Sequence, residues 1–444
     1  MNNPEQTNSP SHFTRRDFIK TTSTAAVATA AAVSFPSILH AQSKTPIRAV
    51  VIGVGGRGSG AGGNFQEAVK NLGIDGKIVG VADLFPEAAT KARELFQVPE
   101  DKTFSGFDAY RKALEIPGVN YAILATPPGF RASHFQGAIE AGKNVFMEKP
   151  VAVDGPGCRM MYATAEKAKE KNLKVAAGTQ RRHQAGYIET IKRIHDGAIG
   201  DVMALRAYWV NGGPIWHRGD HGATELERQI RNWYHYIWLC GDHICEQHVH
   251  NLDVCNWVMQ DHPAKCWGMG ARQQLGNQSG EIWDNFAIEY EYANGARISS
   301  YCGQVTRDWS SVDEFVQGTK GSGKPSGSLQ PKDGSAWHFK DKNPMNPYVQ
   351  EHMDLINAIL NDTPLNEAKQ VTDSTLTAIM GREAAYSGAG VEWNDMLNSN
   401  FHYGPEQLYK DSAKLDWGAF RTLQPPMPKG HNIFKDPPLV PVKV

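Results

Sequence analysis

The first half of the chain alternates short apolar runs with helix-compatible segments. The apolar runs cover residues 47–52, 77–82, 121–125, 144–147 and 174–177. Helix-compatible segments between them cover residues 64–71, 86–96 and 134–141. Short runs of this kind that stop at a glycine or a polar residue are typical of buried parallel strands. Their alternation with helices predicts a doubly wound parallel sheet of the α/β class.

After residue 178 the apolar runs become longer, partly alternate with polar residues and follow one another through turns. They cover residues 202–210, 264–271, 286–292 and 297–301. The Asn294-Gly295 pair indicates a hairpin between the last two of them. This pattern predicts a second domain of α+β type, with a large, mostly antiparallel sheet and helices on one face. Further helices are predicted at 349–360 and 373–387, and the Gly-, Ser-, Lys- and Pro-rich stretch 320–334 predicts a surface loop.

The N-terminus has the features of an export signal. Residues 14–20 read TRRDFIK, and an Ala-rich, weakly apolar run follows from residue 21 to residue 33. An arginine pair before such a run is typical of a twin-arginine signal peptide. The run is shorter than the roughly 20 apolar residues that cross a bilayer. We therefore expect residues 1–41 to be removed after Ala41, leaving a periplasmic protein with no integral membrane segment.

Length and charge narrow the remaining possibilities. At 444 residues the chain is long enough for two cores, and we place the domains at 45–178 and 179–444. Its 46 basic and 47 acidic residues give a formal net charge of -1, so it presents no broad basic field for nucleic acid. The six cysteines form no CxxC pair, which argues against a zinc ribbon or a disulfide scaffold.

A dinucleotide motif follows the first predicted strand. Residues 53–58 read GVGGRG, so Gly53, Gly55 and Gly58 fit the GxGxxG pattern, with Gly56 and Arg57 between them. Such glycines let the backbone approach a pyrophosphate at a helix N-terminus. Asp83 ends the second strand, where an acidic residue binds ribose hydroxyls and repels a 2′-phosphate, which favours NAD.

Two more segments lie at the same predicted sheet edge. Thr126 and Pro127 follow one strand, and Glu148-Lys149-Pro150 follows the next. The glycine motif, the acidic end of the second strand and the EKP segment together resemble the Gfo/Idh/MocA family of glucose–fructose oxidoreductases and inositol dehydrogenases, over about residues 45–387. The resemblance implies bound NAD, with Glu148 beside the cofactor and Lys149 near both the nicotinamide and the reacting sugar carbon.

The family's second signature is a carboxylate and a histidine four residues apart on a substrate-domain helix. Glu246 and His250 match it, although family dehydrogenases usually carry Asp at the first position. On one helix Glu246, His250 and Asp253 would share a stripe; the alternative is that they are satisfied polar residues at a helix edge. Although histidines are frequent here, no HExxH motif appears, and we expect no catalytic metal.

Polar and aromatic residues of the second domain complete the predicted sugar site. Those expected to contact substrate are Gln180, Arg181, His183, Trp216, Arg231, Tyr234 and Asp253. Tryptophan and tyrosine suit carbohydrate binding, but core packing is the alternative for each aromatic residue taken singly.

The resulting functional hypothesis is hydride transfer between a sugar or glycoside hydroxyl carbon and tightly held NAD, with Lys149, His250 and Glu246 as catalytic residues. Two alternatives stay open. One is a glycosidase of the same family that oxidises C3 transiently, eliminates and re-adds, and the other is a non-catalytic sugar-binding or redox-sensing protein. Because family members commonly pair through the open face of the second sheet, the resemblance also implies a homo-oligomer.

Overall fold

The computed structural model describes residues 45–213, 215–276, 278–306, 309–418 and 433. The predicted signal peptide at residues 1–41 lies outside the described residues and stays a prediction.

The first part of the chain forms a six-stranded parallel sheet with helices on both faces. Its strands are β1 (Ile47–Ile52), β2 (Gly76–Asp83), β3 (Thr103–Ser105), β4 (Tyr121–Leu124), β5 (Asn144–Met147) and β6 (Val175–Ala177). Its helices are α1 (Gly56–Leu72), α2 (Pro86–Phe96), α3 (Ala109–Leu114), α4 (Pro128–Glu140) and α5 (Gly155–Glu170). The strand order β3-β2-β1-β4-β5-β6 reverses direction at β1, which is the point where such sheets bind ligands. The predicted doubly wound fold is confirmed.

The second sheet has nine strands. They are β7 (Val202–Val210), β8 (Pro263–Ala271), β9 (Asn285–Tyr292), β10 (Arg297–Gly303), β11 (Ser311–Gly318), β12 (Gly321–Lys324), β13 (Ser328–Pro331), β14 (Trp337–His338) and β15 (Val391–Glu392). Their order is β14-β13-β12-β11-β7-β10-β9-β8-β15. Neighbouring strands are antiparallel except β7 and β10, which are parallel. The predicted mostly antiparallel sheet is confirmed.

The described residues of this second part also form nine α-helices. They are α6 (Ala185–His195), α7 (Glu225–Arg231), α8 (Ile237–Cys240), α9 (His243–Glu246), α10 (Val249–Met259), α11 (Pro347–Leu360), α12 (Ala368–Ser387), α13 (Trp393–Asn398) and α14 (Gln407–Asp411). All six cysteines are buried free thiols. Within the described residues, no helix combines the length and the apolar character that crossing a bilayer needs.

The prediction of a surface loop for residues 320–334 is wrong. This stretch contains β12 and β13, which pair with each other and extend the sheet beyond β11. The strands are defined by backbone hydrogen bonds and close packing rather than by apolar side chains. A Cβ on Gly323 would lie only 2.3 Å from the Ser328 carbonyl oxygen, so the glycine content that suggested a loop permits a tight strand pair.

Helix α11 crosses back to the first sheet. Its residues Val349, Leu355 and Ile356 join the apolar cluster that contains Ile47 of β1 and Phe65 of α1. The segment 347–360 therefore completes the core of the NAD-binding half, although the predicted boundary at residue 178 assigns it to the second domain. Helix periodicity locates this helix but cannot show which sheet it covers.

Candidate active site

The glycine motif forms a turn that leaves space for a ligand. Gly53 has φ +84°, and a Cβ there would lie 2.5 Å from the Thr126 backbone nitrogen. A Cβ on Gly58 would lie 1.7 Å from the Gly53 carbonyl oxygen, so neither position accepts a side chain. Gly55 and Gly56, by contrast, face open space, and a Cβ added at either position would meet no atom within 4 Å. This open surface at the start of α1 fits a pyrophosphate.

Asp83 and Arg57 shape the two sides of this turn. The Asp83 carboxylate accepts hydrogen bonds from the backbone N–H groups of Val54 (2.9 Å) and Phe85 (3.0 Å). Burial raises its pKa, against the effect of these N–H donors. Arg57 donates to Glu148 at 2.5 Å from Nε to Oε1, and its guanidinium lies 5.0 Å from the centre of the Tyr348 ring.

One cavity of about 730 Å³ joins this turn to the second half of the chain. Every predicted cofactor-binding residue lines it: Gly53, Gly55, Gly56, Arg57, Gly58, Asp83, Thr126, Pro127, Glu148 and Lys149. The second half of the chain contributes Gln180, Trp209, Trp216, Arg218, Ile230, Arg231, Trp233, Glu246, Gln247, His250 and Tyr348. The three predicted catalytic residues, Lys149, Glu246 and His250, are therefore brought together at a single cavity.

Lys149 is held in place by Glu246. Its Nζ donates to the Glu246 carbonyl oxygen at 2.5 Å and lies 3.5 Å from Oε1 of the same residue. Burial raises the pKa of the Glu246 carboxyl to about 7, although the nearby cations Lys149 and Arg131 oppose the shift. The second carboxylate oxygen, Oε2, is buried without a hydrogen-bond partner among the described residues. It is therefore able to accept a hydrogen bond from a ligand.

The His250 ring is neutral at physiological pH. Burial lowers its pKa well below the ordinary value of 6.5, and the positive charges of Lys149, Arg181 and Arg57 add to the effect. The ring stacks against Trp209 with centroids 6.0 Å apart and an interplanar angle of 22°. A neutral imidazole fixed by packing is suited to accept a proton from a bound hydroxyl.

The structure separates the residues that were predicted to share one helical stripe. Glu246 ends α9, whereas His250 and Asp253 lie on α10. Asp253 is buried and does not line the cavity. Its carboxylate instead accepts hydrogen bonds from Arg182 Nε at 2.9 Å and from Ser374 Oγ at 2.8 Å. The expectation of a continuous helix is wrong, because the helix is interrupted by a turn at residues 247–248, between α9 and α10.

The predicted substrate residues divide into two groups. Gln180, Trp216 and Arg231 line the cavity, and the buried Oε1 of Gln180 has no partner in the described chain. Arg181, His183, Tyr234 and Asp253 do not line it.

Each of these other residues has a protein partner. Arg181 forms an ion pair with the buried Glu314. Tyr234 donates to Gln304 at 3.0 Å. Burial alone would lower the pKa of His183, but hydrogen bonds to Asp354 and Glu367 raise it to about 10. Direct substrate contact therefore has no geometric support at these positions, which organise the surrounding core.

Arg131 was not recognised from the sequence. It is 1% exposed, lies on α4 and donates to the backbone carbonyls of Glu148 and Thr126, and so links the two segments that line the cofactor side of the cavity. Burial lowers its pKa to about 10, against the attraction of Glu148 and Glu246, so it stays charged at neutral pH. An isolated arginine on an apolar helix gives no local signal of this role.

The metal prediction stays a prediction. In the part of the chain that the structure describes, no three His, Cys, Asp or Glu side chains gather in a way that could hold an ion.

Two family models match the chain. The first, an oxidoreductase family with an NAD-binding Rossmann fold, matches residues 47–177, and the second, the GFO/IDH/MocA C-terminal domain, matches residues 187–324.

Curated relatives are similar over part of their length. The chain is 27% identical over 211 residues to an inositol 2-dehydrogenase of Gluconacetobacter diazotrophicus, covering 47% of this chain and 55% of the relative. It is 26% identical over 282 residues to a scyllo-inositol 2-dehydrogenase (NAD(+)) of Bacillus subtilis, covering 62% and 72%. The chain thus spans about half the length of several curated relatives that it matches.

Solved structures share the fold. The scyllo-inositol dehydrogenase of Lactobacillus casei with NAD(H) and scyllo-inositol has a TM-score of 0.61 at 19% identity, covering 79% of this chain and 99% of that one. A levoglucosan dehydrogenase with NADH and levoglucosan has a TM-score of 0.63 at 18% identity, covering 78% and 99%. Both family models and the glycine turn agree: the chain belongs to the Gfo/Idh/MocA oxidoreductase family and carries that family's NAD-binding Rossmann domain.

Proposed function

We propose that the protein is an NAD(H)-dependent oxidoreductase that moves a hydride to or from a hydroxyl-bearing carbon of a sugar or glycoside and keeps its cofactor between turnovers. The observation that carries the proposal is the position of Lys149 and His250. One follows a strand of the first sheet, the other lies on a helix of the second half, and both line the cavity that begins at the glycine turn.

The proposed proton acceptor is His250. Its depressed pKa keeps the imidazole neutral, so it can take the hydroxyl proton of a bound sugar as the carbon is oxidised. Trp209 fixes the plane of the ring by stacking. In the reverse direction the same ring returns the proton to the oxygen.

The proposed role of Lys149 is to stabilise the alkoxide oxygen that forms as the proton leaves. Its ammonium group is positioned by the Glu246 backbone carbonyl and carboxylate, and an ammonium group placed before reaction lowers the energy of developing negative charge. No hydrogen bond joins Glu246 to His250 among the described residues. We therefore propose that the role of Glu246 is to orient the Lys149 side chain. NAD, when bound, supplies the hydride acceptor at its nicotinamide ring.

Two further observations support the substrate class and the retained cofactor. The names of relatives and structural neighbours describe enzymes of inositols and levoglucosan, which are hydroxyl-rich rings. Beside Asp83, Arg231 forms an ion pair with Glu87 and its guanidinium lies over the Phe85 ring, and all of these residues line the cavity. We infer that this contact slows the exchange of a bound dinucleotide.

The variant Lys149→Met tests the proposal. Protein purified from cells would be denatured to measure co-released NAD, and native samples would be assayed with a sugar and inositol panel. We expect normal NAD content and roughly a 100- to 1000-fold loss of turnover, on the order of an active-site electrostatic contribution. Lys70→Met, on the exposed side of α1, is the matched control. An active Lys149→Met protein would remove the lysine from the mechanism.

The same preparation addresses the glycosidase alternative. Release of a keto-sugar from a chromogenic glycoside, with NAD reduced, supports the dehydrogenase. Hydrolysis with no added electron acceptor and with NAD unchanged supports the redox-assisted glycosidase instead.

We also propose twin-arginine export to the periplasm, supported by residues 14–20 and the Ala-rich run after them. Replacing Arg15 and Arg16 together by lysine should retain the precursor in the cytoplasm, measured by fractionation. Processing and export of the double variant at the normal rate would contradict the proposal.

A homo-oligomer is the proposed assembly. It is supported by large side chains exposed on the second sheet, of which Trp267 is 37%, Met269 72% and Tyr301 46% exposed. Exposed apolar residues on strands of one sheet, here β8 and β10 on either side of β9, are typical of an interface. Light scattering should show an oligomer for the natural sequence and a smaller species for Met269→Glu, whereas a natural chain that is monomeric at micromolar concentration would contradict the assembly.

A further inference from the structure

Trp216 and Arg218 form an exposed pair on the cavity wall. Trp216 is 39% exposed, and the Arg218 guanidinium lies 4.8 Å from the centre of its ring. Both line the cavity that contains Lys149 and His250. The Trp216 ring also packs edge-on against Trp233 at 6.0 Å and Tyr234 at 5.8 Å. The exposed arginine side chain therefore lies over an aromatic surface.

Buried polar residues fix the backbone of this loop. Asn232, which is 0% exposed, accepts a hydrogen bond from the Arg218 backbone N–H at 2.8 Å and donates to the Gly219 carbonyl at 2.7 Å. His235, also 0% exposed, shares a 2.6 Å hydrogen bond between its Nε2 and the Trp216 carbonyl oxygen. The fold therefore uses two buried side chains to hold the segment that carries Trp216 and Arg218.

Among the described residues of the second half that line the cavity, Arg218 is the arginine without an ion-pair partner. The second half of the chain contributes two lining arginines, and Arg231 is neutralised by Glu87 and Glu227. Arg218 has no carboxylate within ion-pair distance in the described segments. The acidic residue of its own loop, Asp220, is bonded to Ser279 at 2.6 Å. A guanidinium that stacks on an aromatic ring beside a ligand cavity and has no carboxylate partner among the described residues favours an oxyanion ligand.

We propose that Trp216 and Arg218 form a subsite for an anionic group, a carboxylate or a phosphate ester, on the carbohydrate that reacts at His250; this refines the proposed function and rests on it. The planar guanidinium binds either oxyanion through paired hydrogen bonds. The pyrophosphate of the cofactor has its own place at the glycine turn, where Gly55 and Gly56 leave open space. The preferred substrates are therefore acidic or phosphorylated sugars rather than neutral ones.

Equilibrium binding to the NAD-loaded full chain tests the subsite without requiring turnover. The ligands are glucose, glucuronate and glucose 6-phosphate, titrated by calorimetry at low and high salt. We expect at least one anionic ligand to bind about 2- to 5-fold more tightly than glucose at low salt, as for a solvent-accessible charge pair, and the preference to shrink as salt rises. Tighter binding of glucuronate than of glucose would identify a carboxylate subsite, and tighter binding of glucose 6-phosphate would identify a phosphate subsite.

Variants assign the preference to Arg218. Arg218→Ala should bind all three ligands equally, and Arg218→Lys should keep part of the preference for anionic ligands. Both variants should retain bound NAD. Arg193→Ala is the matched control, because Arg193 is also exposed and stacked on a tryptophan, Trp337, at 4.5 Å, but does not line the cavity. Equal binding of glucose and both anions by the natural sequence, a preference unchanged in Arg218→Ala, or loss of NAD from that variant would each overturn the subsite.

The two proposals fail separately. If Lys149→Met keeps full turnover, the proposed mechanism fails, yet the anion preference can still be measured in that variant. If the anion preference is missing while Lys149→Met is inactive, the subsite alone fails.

Discussion

Arg231 Nη1 lies 3.0 Å from Glu87 Oε1, and this ion pair joins α7 of the second half to α2 of the NAD-binding half. The Arg231 guanidinium also lies 4.0 Å from the centre of the Phe85 ring. All three residues line the cavity close to Asp83. The contact therefore joins the two halves of the chain beside the residue that is predicted to bind the ribose of a dinucleotide.

Glu87→Gln is expected to speed the loss of NAD. The substitution keeps the side-chain size and removes the charge, while Arg231 stays paired with Glu227. Because the Glu87 side chain is 62% exposed, the pair is worth only about 0.2–1 kcal/mol. Dissociation should accelerate roughly 2- to 5-fold, measured as NAD content against time in dialysis. The control Glu94→Gln, on the same helix but outside the cavity, should lose NAD at the rate of the natural sequence. If Glu87→Gln also loses NAD at that rate, the contact has no part in retaining the cofactor.

A pair of glycine variants separates cofactor binding from folding. Gly58→Ala would place a Cβ 1.7 Å from the Gly53 carbonyl oxygen, so the turn must deform, and we expect a loss of about 1–3 kcal/mol in the free energy of unfolding. Gly55→Ala points into open space, so its free energy of unfolding should change little in the NAD-free protein while its NAD affinity falls. Chemical denaturation and NAD titration measure the two effects. Unchanged NAD affinity in Gly55→Ala would show that the turn does not approach the cofactor.

The parts of the molecule that obey local rules were predictable from the sequence. Helix α2 occupies Pro86–Phe96 as its pattern indicates, with Pro at the first helical turn, and β7 covers Val202–Val210 as predicted. The glycine turn and Lys149 were located because their motif sits at a strand end. These features depend on residues that are close in sequence.

Features that depend on distant partners were not predictable. Asp253 and Arg181 have the residue types of a sugar site, but Arg182 and Glu314, which pair with them, decide their place in the core. Arg131 reaches the cavity through carbonyls that only the folded chain brings near. The strands β12 and β13 were missed because they are short and rich in Gly and Ser, so that their pairing with β11 and with each other depends on backbone contacts.

The pH dependence of catalysis should be set by Glu246 rather than by His250. Burial raises the pKa of Glu246 to about 7, so its carboxylate is charged above that pH and protonated below it. Only the charged form attracts the Lys149 ammonium, and kcat/KM should therefore fall as pH drops through about 7. His250 cannot cause this decrease, because its pKa lies well below 6.5 and the ring stays neutral over the range.

Glu246→Gln isolates this effect, since it preserves the shape of the side chain and the backbone carbonyl that holds Lys149. The pH profile of kcat/KM between pH 6 and pH 8 should become flat at a reduced level, whereas Glu246→Asp should keep a pH-dependent limb. A limb that persists in Glu246→Gln would assign the titration to another group.

Asp83→Asn is expected to relax the choice of NAD over NADP. The charge of Asp83 would repel a 2′-phosphate, and an amide of the same shape lacks that repulsion. The change has a structural cost, because the carboxylate accepts N–H groups of Val54 and Phe85 and an amide oxygen replaces only part of that capacity. We expect the free energy of unfolding to fall by about 1 kcal/mol, while the NADP-to-NAD ratio of co-purified cofactor, measured by mass spectrometry, rises. Asp101→Asn, on the surface after α2, controls for the general effect of removing a charge. If Asp83→Asn loses stability but excludes NADP as strongly as the natural sequence, the carboxylate serves only to tie the turn to the end of β2, and cofactor choice must come from the shape of the cavity.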